Sequence, residues 1–239
     1  ATIIVAILAG LAAGLVTGLL HTLLGIPDIL AGILTQIALY SINLNIMGKS
    51  NLPISYRNYT LVVSASNINM AILVGLGICA VVIAAMYWYF GTEQGSTIRS
   101  TGSNPAMSKA QGININFTKV IALALSNGLV ALSGSLFAQY QGFADVGMGR
   151  GAIVIGLAAV IIGEVIFGKL FTNFGLKLLA VSIGAVIYYF VLQIVLQLGL
   201  NTNDLKLITA LIVALFLAIP YWKGKMFHGK AKKEESRHA

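Results

Sequence analysis

Long apolar runs separated by short polar breaks fill most of the chain. A helix needs about 20 apolar residues to cross the hydrocarbon core of a bilayer. Runs of that kind lie at roughly 2–24, 28–47, 67–90, 117–140, 151–167, 174–198 and 205–222, which predicts about seven spans. Two of them are irregular. The 28–47 segment carries Gln36, Tyr40, Ser41, Asn43 and Asn45 in its second half. That polarity suggests a broken or re-entrant helix, a form tolerated at membrane depth only inside protein or beside a cavity. The 151–167 segment is short and contains Glu164. One break also stands apart. Residues 91–116, "GTEQGSTIRSTGSNPAMSKAQGININ", form a polar island between "AILVGLGICAVVIAAMYWYF" and "FTKVIALALSNGLVALSGSLFAQY".

Small residues are spaced at helical intervals in "AGLAAGLVTG" and "SNGLVALSGS". Faces of this kind let helices approach closely in lipid. The expected architecture is therefore all-α: a polytopic membrane bundle forming one transmembrane domain over 1–239, with no separate soluble domain.

Composition sharpens this. Of 239 residues 58% are hydrophobic and only 9% charged, against about 25% charged in a soluble domain. So few charges cannot cover a water-facing surface. The net charge of +8 does not point to nucleic acid, because the basic residues gather in loops and in the tail, as membrane orientation requires. A single cysteine, Cys79, excludes an internal disulfide and a CxxC metal pattern; within an apolar run it reads as a small hydrophobe.

Charge also orients the chain. The tail 223–239, "KGKMFHGKAKKEESRHA", is strongly basic and is expected in the cytoplasm, along anionic headgroups. Counting back puts 199–204 outside, 168–173 with Lys169 inside and 141–150 outside. The island, with Arg99 and Lys109, then lies inside and 48–66 outside, the latter despite Lys49 and Arg57. The start of the chain falls outside. It lacks a basic n-region, so it does not read as an intact signal peptide; residues upstream of Ala1 are expected. "MYWYF" at 86–90 and "YW" at 221–222 suit the interface, where aromatic rings concentrate.

Three roles compete for the island: inert connector, catalytic loop, or docking surface. Catalysis is poorly supplied. The island has Glu93 but no His, Cys or Asp, hence no nucleophile–base pair or metal cluster. No Walker A pattern occurs anywhere in the chain. His228 and His238 lie in the tail, and His21 ends the first span as an interfacial histidine. An inert connector is usually shorter, 2–8 residues in bundles. The island instead has internal order. A short helix is expected around Gln94–Ser100, with a break at Gly102. Ser103 or Asn104 is placed to cap a second helix with Pro105 in its first turn, and Gly112 suits its end. Two short helices with a sharp bend make a knob, and Ile98 or Met107 on it suits a groove in another protein.

Within the membrane, Gln36, Tyr40 and Asn43 share a face at i, i+4, i+7. With Ser41 they are candidate pathway residues, with interhelical hydrogen bonding as the alternative. Glu164 is the acidic residue deep in an apolar run. It pairs structurally with Lys169 or a loop amide, or it lines or gates a pathway. Gln139, Gln141, Gln193 and Gln197 sit near the outer ends of their spans; they read first as interfacial polar groups, with contact to a delivering protein or lining of an outer vestibule as the alternatives.

The stretch "GSTIRSTGSNPAMSKAQGININFTKVIALALSNGLVALSGSLFAQYQG" resembles the signature region of bacterial ABC-importer permeases. The group is that for branched-chain amino acids, simple sugars and nucleosides. The matching positions are Ile98, Arg99, Gly102, Asn104, Pro105, Ala106, Gly112 and Ile113; Ser100 and the Ser108–Ala110 run depart from it. "HTLLGIPDILAGILTQIALYSINLNIMGKSNLP" and "IVIGLAAVIIGEVIFG" are similar to a narrower subgroup, one that accompanies binding proteins for amino acids such as tryptophan or tyrosine. The resemblance implies a permease in the bacterial cell membrane that pairs with a second permease copy. It implies ABC ATPase subunits beneath, and an extracytoplasmic binding protein or lipoprotein that delivers the solute. Ile98, Arg99, Gly102, Asn104, Pro105, Ala106, Met107 and Gly112 would then meet the ATPase as a coupling helix. ATP and Mg2+ would be bound by the partner subunits, and no cofactor by this chain. A secondary transporter driven by an ion gradient is the alternative. It needs intramembrane carboxylates, and Glu164 is the candidate the chain offers; inverted repeats, common in such folds, are not evident. A membrane-embedded enzyme would need a pair of catalytic groups at membrane depth, which the sequence does not supply.

Overall fold

The structure is a computed structural model that describes residues 2–54, 61–65, 67–149, 152–168, 170–171, 173–197, and positions 207, 210, 211, 214 and 218. The chain divides into two compact units, Ala1–Gly149 and Arg150–Ala239. The basic tail, Arg57, Lys169 and most of the candidate span 205–222 lie outside the described residues.

The first unit holds six helices and one strand pair: α1 (Thr2–Leu24), α2 (Asp28–Met47), β1 (Asn51–Pro53), α3 (Ile68–Gly91), α4 (Glu93–Ser103), α5 (Pro105–Ala110), α6 (Ile115–Gln141) and β2 (Phe143–Asp145). The second holds α7 (Ala152–Phe167) and α8 (Phe174–Gln197). Among the described residues five helices, α1, α2, α3, α6 and α8, are long and apolar enough to cross a membrane. The sixteen residues of α7 fall short of that length, as its sequence suggests. The protein is a polytopic helical membrane bundle.

The α2 segment is a continuous helix, neither broken nor re-entrant. Polar side chains do not interrupt a helix by themselves, because its backbone groups are satisfied internally whatever the side chains do. It stops at Gly48, whose φ of 67° ends the helical run.

The small-residue faces serve as the sequence suggests. Gly10, Gly14 and Gly18 of α1 lie against Asn127 and Ala131, Leu123 and Ala124, and Val120 of α6, respectively. A Cβ at Gly10 would come within 2.5 Å of the Ala131 Cβ, so the two backbones touch only because the side chain is missing. In the second unit Gly163 and Gly184 lie against Ala180 and Ala159 in the same way. Beside them Ala158, Ile162 and Tyr188 form a fully buried cluster. Where lipid offers no hydrophobic drive for association, this close contact supplies the cohesion.

Two connectors expected on one side of the membrane meet. β1 and β2 pair antiparallel, with Asn51 opposite Asp145 and Pro53 opposite Phe143. Gln139, taken above as an interfacial group, is in fact buried. Its side-chain carbonyl accepts the Val62 N–H at 3.0 Å, fastening the returning loop to the end of α6.

Candidate functional site

The island is an ordered corner built on three successive caps. α3 stops at Gly91, and Thr92 turns extended. Its hydroxyl donates to the Tyr89 carbonyl at 2.6 Å and accepts the Gly95 N–H, capping α4. Glu93 stands in the first turn of α4, where a carboxylate complements the helix dipole. Gly95 is buried at this corner, and a Cβ there would collide with the Tyr89 carbonyl and Phe90.

The expected break at Gly102 does not occur. α4 runs through Gly102 to Ser103, and the bend falls at Asn104, with φ −150° and ψ 92°. A lone glycine weakens a helix by only about 1 kcal/mol, whereas Asn104 has a second helix to start. Its Oδ1 accepts the Met107 N–H at 3.0 Å, and Pro105 follows at the first helical position. Of the two expected caps, Asn104 is the one used.

α5 ends in a Schellman motif: the Gly112 N–H bonds the Lys109 carbonyl and the Ile113 N–H bonds the Ser108 carbonyl. Gly112 takes φ 82°, a conformation that costs glycine least. Asn114 then caps α6 through the Phe117 N–H. Between α4 and the start of α6 lies an open groove of about 310 Å³, lined by Ile98, Ile113, Phe117 and Ile121 among others.

Arg99, Gly102, Asn104, Pro105, Ala106, Met107 and Gly112 are all exposed on this corner, while Ile98 is half-buried in the groove. Beneath them Thr101 and Ser108 are buried. The eight nominated island residues thus lie on one continuous structure.

The membrane candidates divide between the units. Gln36, Tyr40, Ser41 and Asn43 are exposed on α2, while Ala31 and Thr35 are buried on it. Thr17 of α1 donates to the Thr35 hydroxyl at 2.9 Å. Glu164 is exposed near the end of α7 in the second unit, and its main-chain carbonyl accepts the Gly168 N–H.

Sequence reasoning missed one cluster. His21, read as a plain interfacial histidine, joins three helices at the island end of the first unit. Its Nδ1 lies 2.7 Å from Asp28 Oδ1 and 2.8 Å from the Ile26 carbonyl. Its Nε2 lies 2.8 Å from Lys119 Nζ. The proximity of His21 and Asp28 across the Gly25–Pro27 turn was a local signal; Lys119, 98 residues away, gave none.

These features define a multi-pass helical membrane protein carrying a structured polar loop at one end of its bundle. A family profile described as the permease component of branched-chain amino acid transport systems matches residues 1–219. The chain belongs to this family and is a permease component of a transport system. It is 45% identical over 215 residues to a tyrosine transport system permease protein of Clostridioides difficile, covering 90% of this chain and 71% of that one. An uncharacterized protein of Rickettsia prowazekii is 32% identical over 195 residues, covering 81% and 69%. The ribose import permease of Escherichia coli is 27% identical over 139 residues, covering 58% and 42%. No solved structure matches.

Proposed function

We propose that the chain is the membrane-embedded subunit of an ABC importer for an amino acid, with an aromatic one, tyrosine or tryptophan, as the cargo to try first. The observation that carries this is the exposed α4–Asn104–α5 corner. Three caps fix its shape, its interior is closed by Gly95, Thr101 and Ser108, and its surface shows Met107 and the Arg99–Ala106 stretch. A connector with no partner needs no such order. A rigid helical knob with one apolar side chain outward suits insertion into a groove of an ATPase subunit. The tyrosine permease among the relatives supports the cargo. In this reading Gln36, Tyr40, Ser41 and Asn43 of α2 are pathway residues of the first unit, and Glu164 of α7 is, separately, a pathway residue of the second. Two copies of the permease pair, an extracytoplasmic binding protein supplies the solute, and ATP with Mg2+ is consumed in the ATPases. The C-terminus lies in the cytoplasm.

The test is reconstitution of the chain with its ATPase and binding protein in proteoliposomes. Tyrosine or tryptophan uptake that requires ATP is the expected result. Uptake that persists without ATP and collapses with an ionophore would overturn it.

A further inference from the structure

The Asp28–His21–Lys119 chain joins the last turn of α1, the first turn of α2 and the second turn of α6. An ammonium group can only donate. With Lys119 Nζ at 2.8 Å, His21 Nε2 must offer a lone pair. With Lys119 an ammonium, a neutral ring carrying its proton on Nδ1, donating toward Asp28 and the Ile26 carbonyl, satisfies all three contacts. Each member thus has one role in a directional relay running from Lys119 through the ring to Asp28. A cationic ring would set two donors against each other.

The position of the relay gives it a second meaning. Lys119 stands just after the island: α5 is bound to the start of α6 through the Schellman motif and the Asn114 cap. α1 and α6 are locked by their glycine contacts. α2 is held differently. It packs on α1 through Ala31 and Thr35, its polar face is exposed, and its polar links include the relay at one end and the Thr17–Thr35 bond within. At its far end β1 follows after Gly48–Ser50 and pairs with β2, which follows α6 after Gly142. α2 is therefore tied to α6 at both ends, and it carries Gln36, Tyr40, Ser41 and Asn43.

We propose that the Asp28–His21–Lys119 relay, held with His21 neutral, is the link that makes α2 follow the island, so that displacement of α5 and α6 moves the polar face of α2. His21 is here a positioning residue. The inference rests on the importer reading for its transport consequence, but not for its chemistry.

Two measurements test it. The first uses the full chain in lipid nanodiscs with His228→Gln and His238→Gln, leaving one imidazole, observed by 15N NMR. A neutral ring with its proton on Nδ1, and an Nε2 signal that shifts on Lys119→Met, is expected. A cationic ring, or an Nε2 signal indifferent to Lys119→Met, overturns the relay whatever the protein transports.

The second is ATP-driven uptake with the ATPase and binding protein present. His21→Gln keeps a donor and an acceptor and is expected to stay within about twofold of the parent. His21→Lys sets two ammonium groups face to face and should lower uptake about tenfold, the scale of one lost charge-assisted hydrogen bond. Adding Lys119→Gln to His21→Lys restores an acceptor for the new cation and should recover most of the loss. Equal uptake in all of these variants overturns the transmission role, as does failure of the double variant to recover while it remains folded. A parent protein that shows no ATP-dependent uptake would overturn the importer reading and this role with it, leaving the NMR result to decide the relay.

Discussion

At the residue scale, two glycines of the same short helix separate packing from helix propensity. Gly95 sits under the Tyr89 carbonyl and Phe90, while a Cβ at Gly102 would meet nothing within 4 Å. Gly95→Ala should push the α3–α4 corner apart and cost about 1–3 kcal/mol, the range for overpacking a closed site. Gly102→Ala should leave the thermal midpoint unchanged or raise it, since alanine favours a helix by up to about 1 kcal/mol. Thermal unfolding of the two variants in detergent checks both, and equal destabilisation would contradict the packing described. Uptake adds a further contrast: a stable Gly102→Ala variant that fails to transport would place Gly102 at the docked surface. Asn104→Ala should loosen the bend by about 1 kcal/mol through loss of its cap, read as faster proteolysis within 104–112. Asn104, Pro105 and Gly112 were legible in the sequence because caps act over three or four residues and leave a local signature. Gly95 was not, because its constraint comes from the preceding helix folding back on it. His21 was half legible, through Asp28, and its link to Lys119 was hidden by sequence distance.

At the scale of elements, the most legible packing faces are those through which α1 and α6 meet, although the sequence did not name them as partners. The spacing of Gly10, Gly14 and Gly18 already marked a face, and α6 supplied its own small residues, Ala124, Gly128 and Ala131. Small residues in an apolar run have few uses other than close approach, so the pattern reads directly as packing. Gly14→Val would drive branched carbons into the Leu123 carbonyl and the Ala124 backbone. Since backbone cannot give way as a flexible side chain does, the cost should reach or exceed about 3 kcal/mol. The folded fraction recovered in detergent should fall sharply, whereas Gly32→Val on α2, where the space is open, should be tolerated. The polar half of α2 misled for the opposite reason: side-chain polarity speaks of what surrounds a helix, not of whether its backbone is continuous. The strand pair gave no warning either. Three residues on each side are too few for an alternating pattern, and their pairing joins segments about ninety residues apart. For the island as an element, Met107→Asp should abolish uptake and ATPase stimulation with the unfolding midpoint intact, because Met107 is 58% exposed. A lowered midpoint would show instead that Met107 is structural.

At the scale of the whole molecule, the question is which end of the first unit faces which side. α6 has 27 residues, a length of roughly 40 Å, more than the roughly 30 Å of a hydrocarbon core. The island at its start and the β1–β2 pair at its end must therefore lie on opposite faces of the membrane. The count of basic residues places 48–66 and 141–150 on one side even though Lys49 and Arg57 argue against it. Hydrogen bonding between Asn51–Pro53 and Phe143–Asp145 gives an independent reason why those connectors share a side. The proposed importer function sets which side it is: ATP is cytoplasmic, so on that proposal the corner that meets the ATPases is cytoplasmic as well. With Cys79→Ser as background, Ala106→Cys and Leu52→Cys, both exposed positions, can be labelled with a membrane-impermeant maleimide. Ala106→Cys should react only in inside-out vesicles and Leu52→Cys only in intact cells. Labelling of both from one side would contradict the crossing of α6. The reversed pattern would keep the fold but leave the island facing a compartment without ATP, and the importer mechanism could not then operate through it.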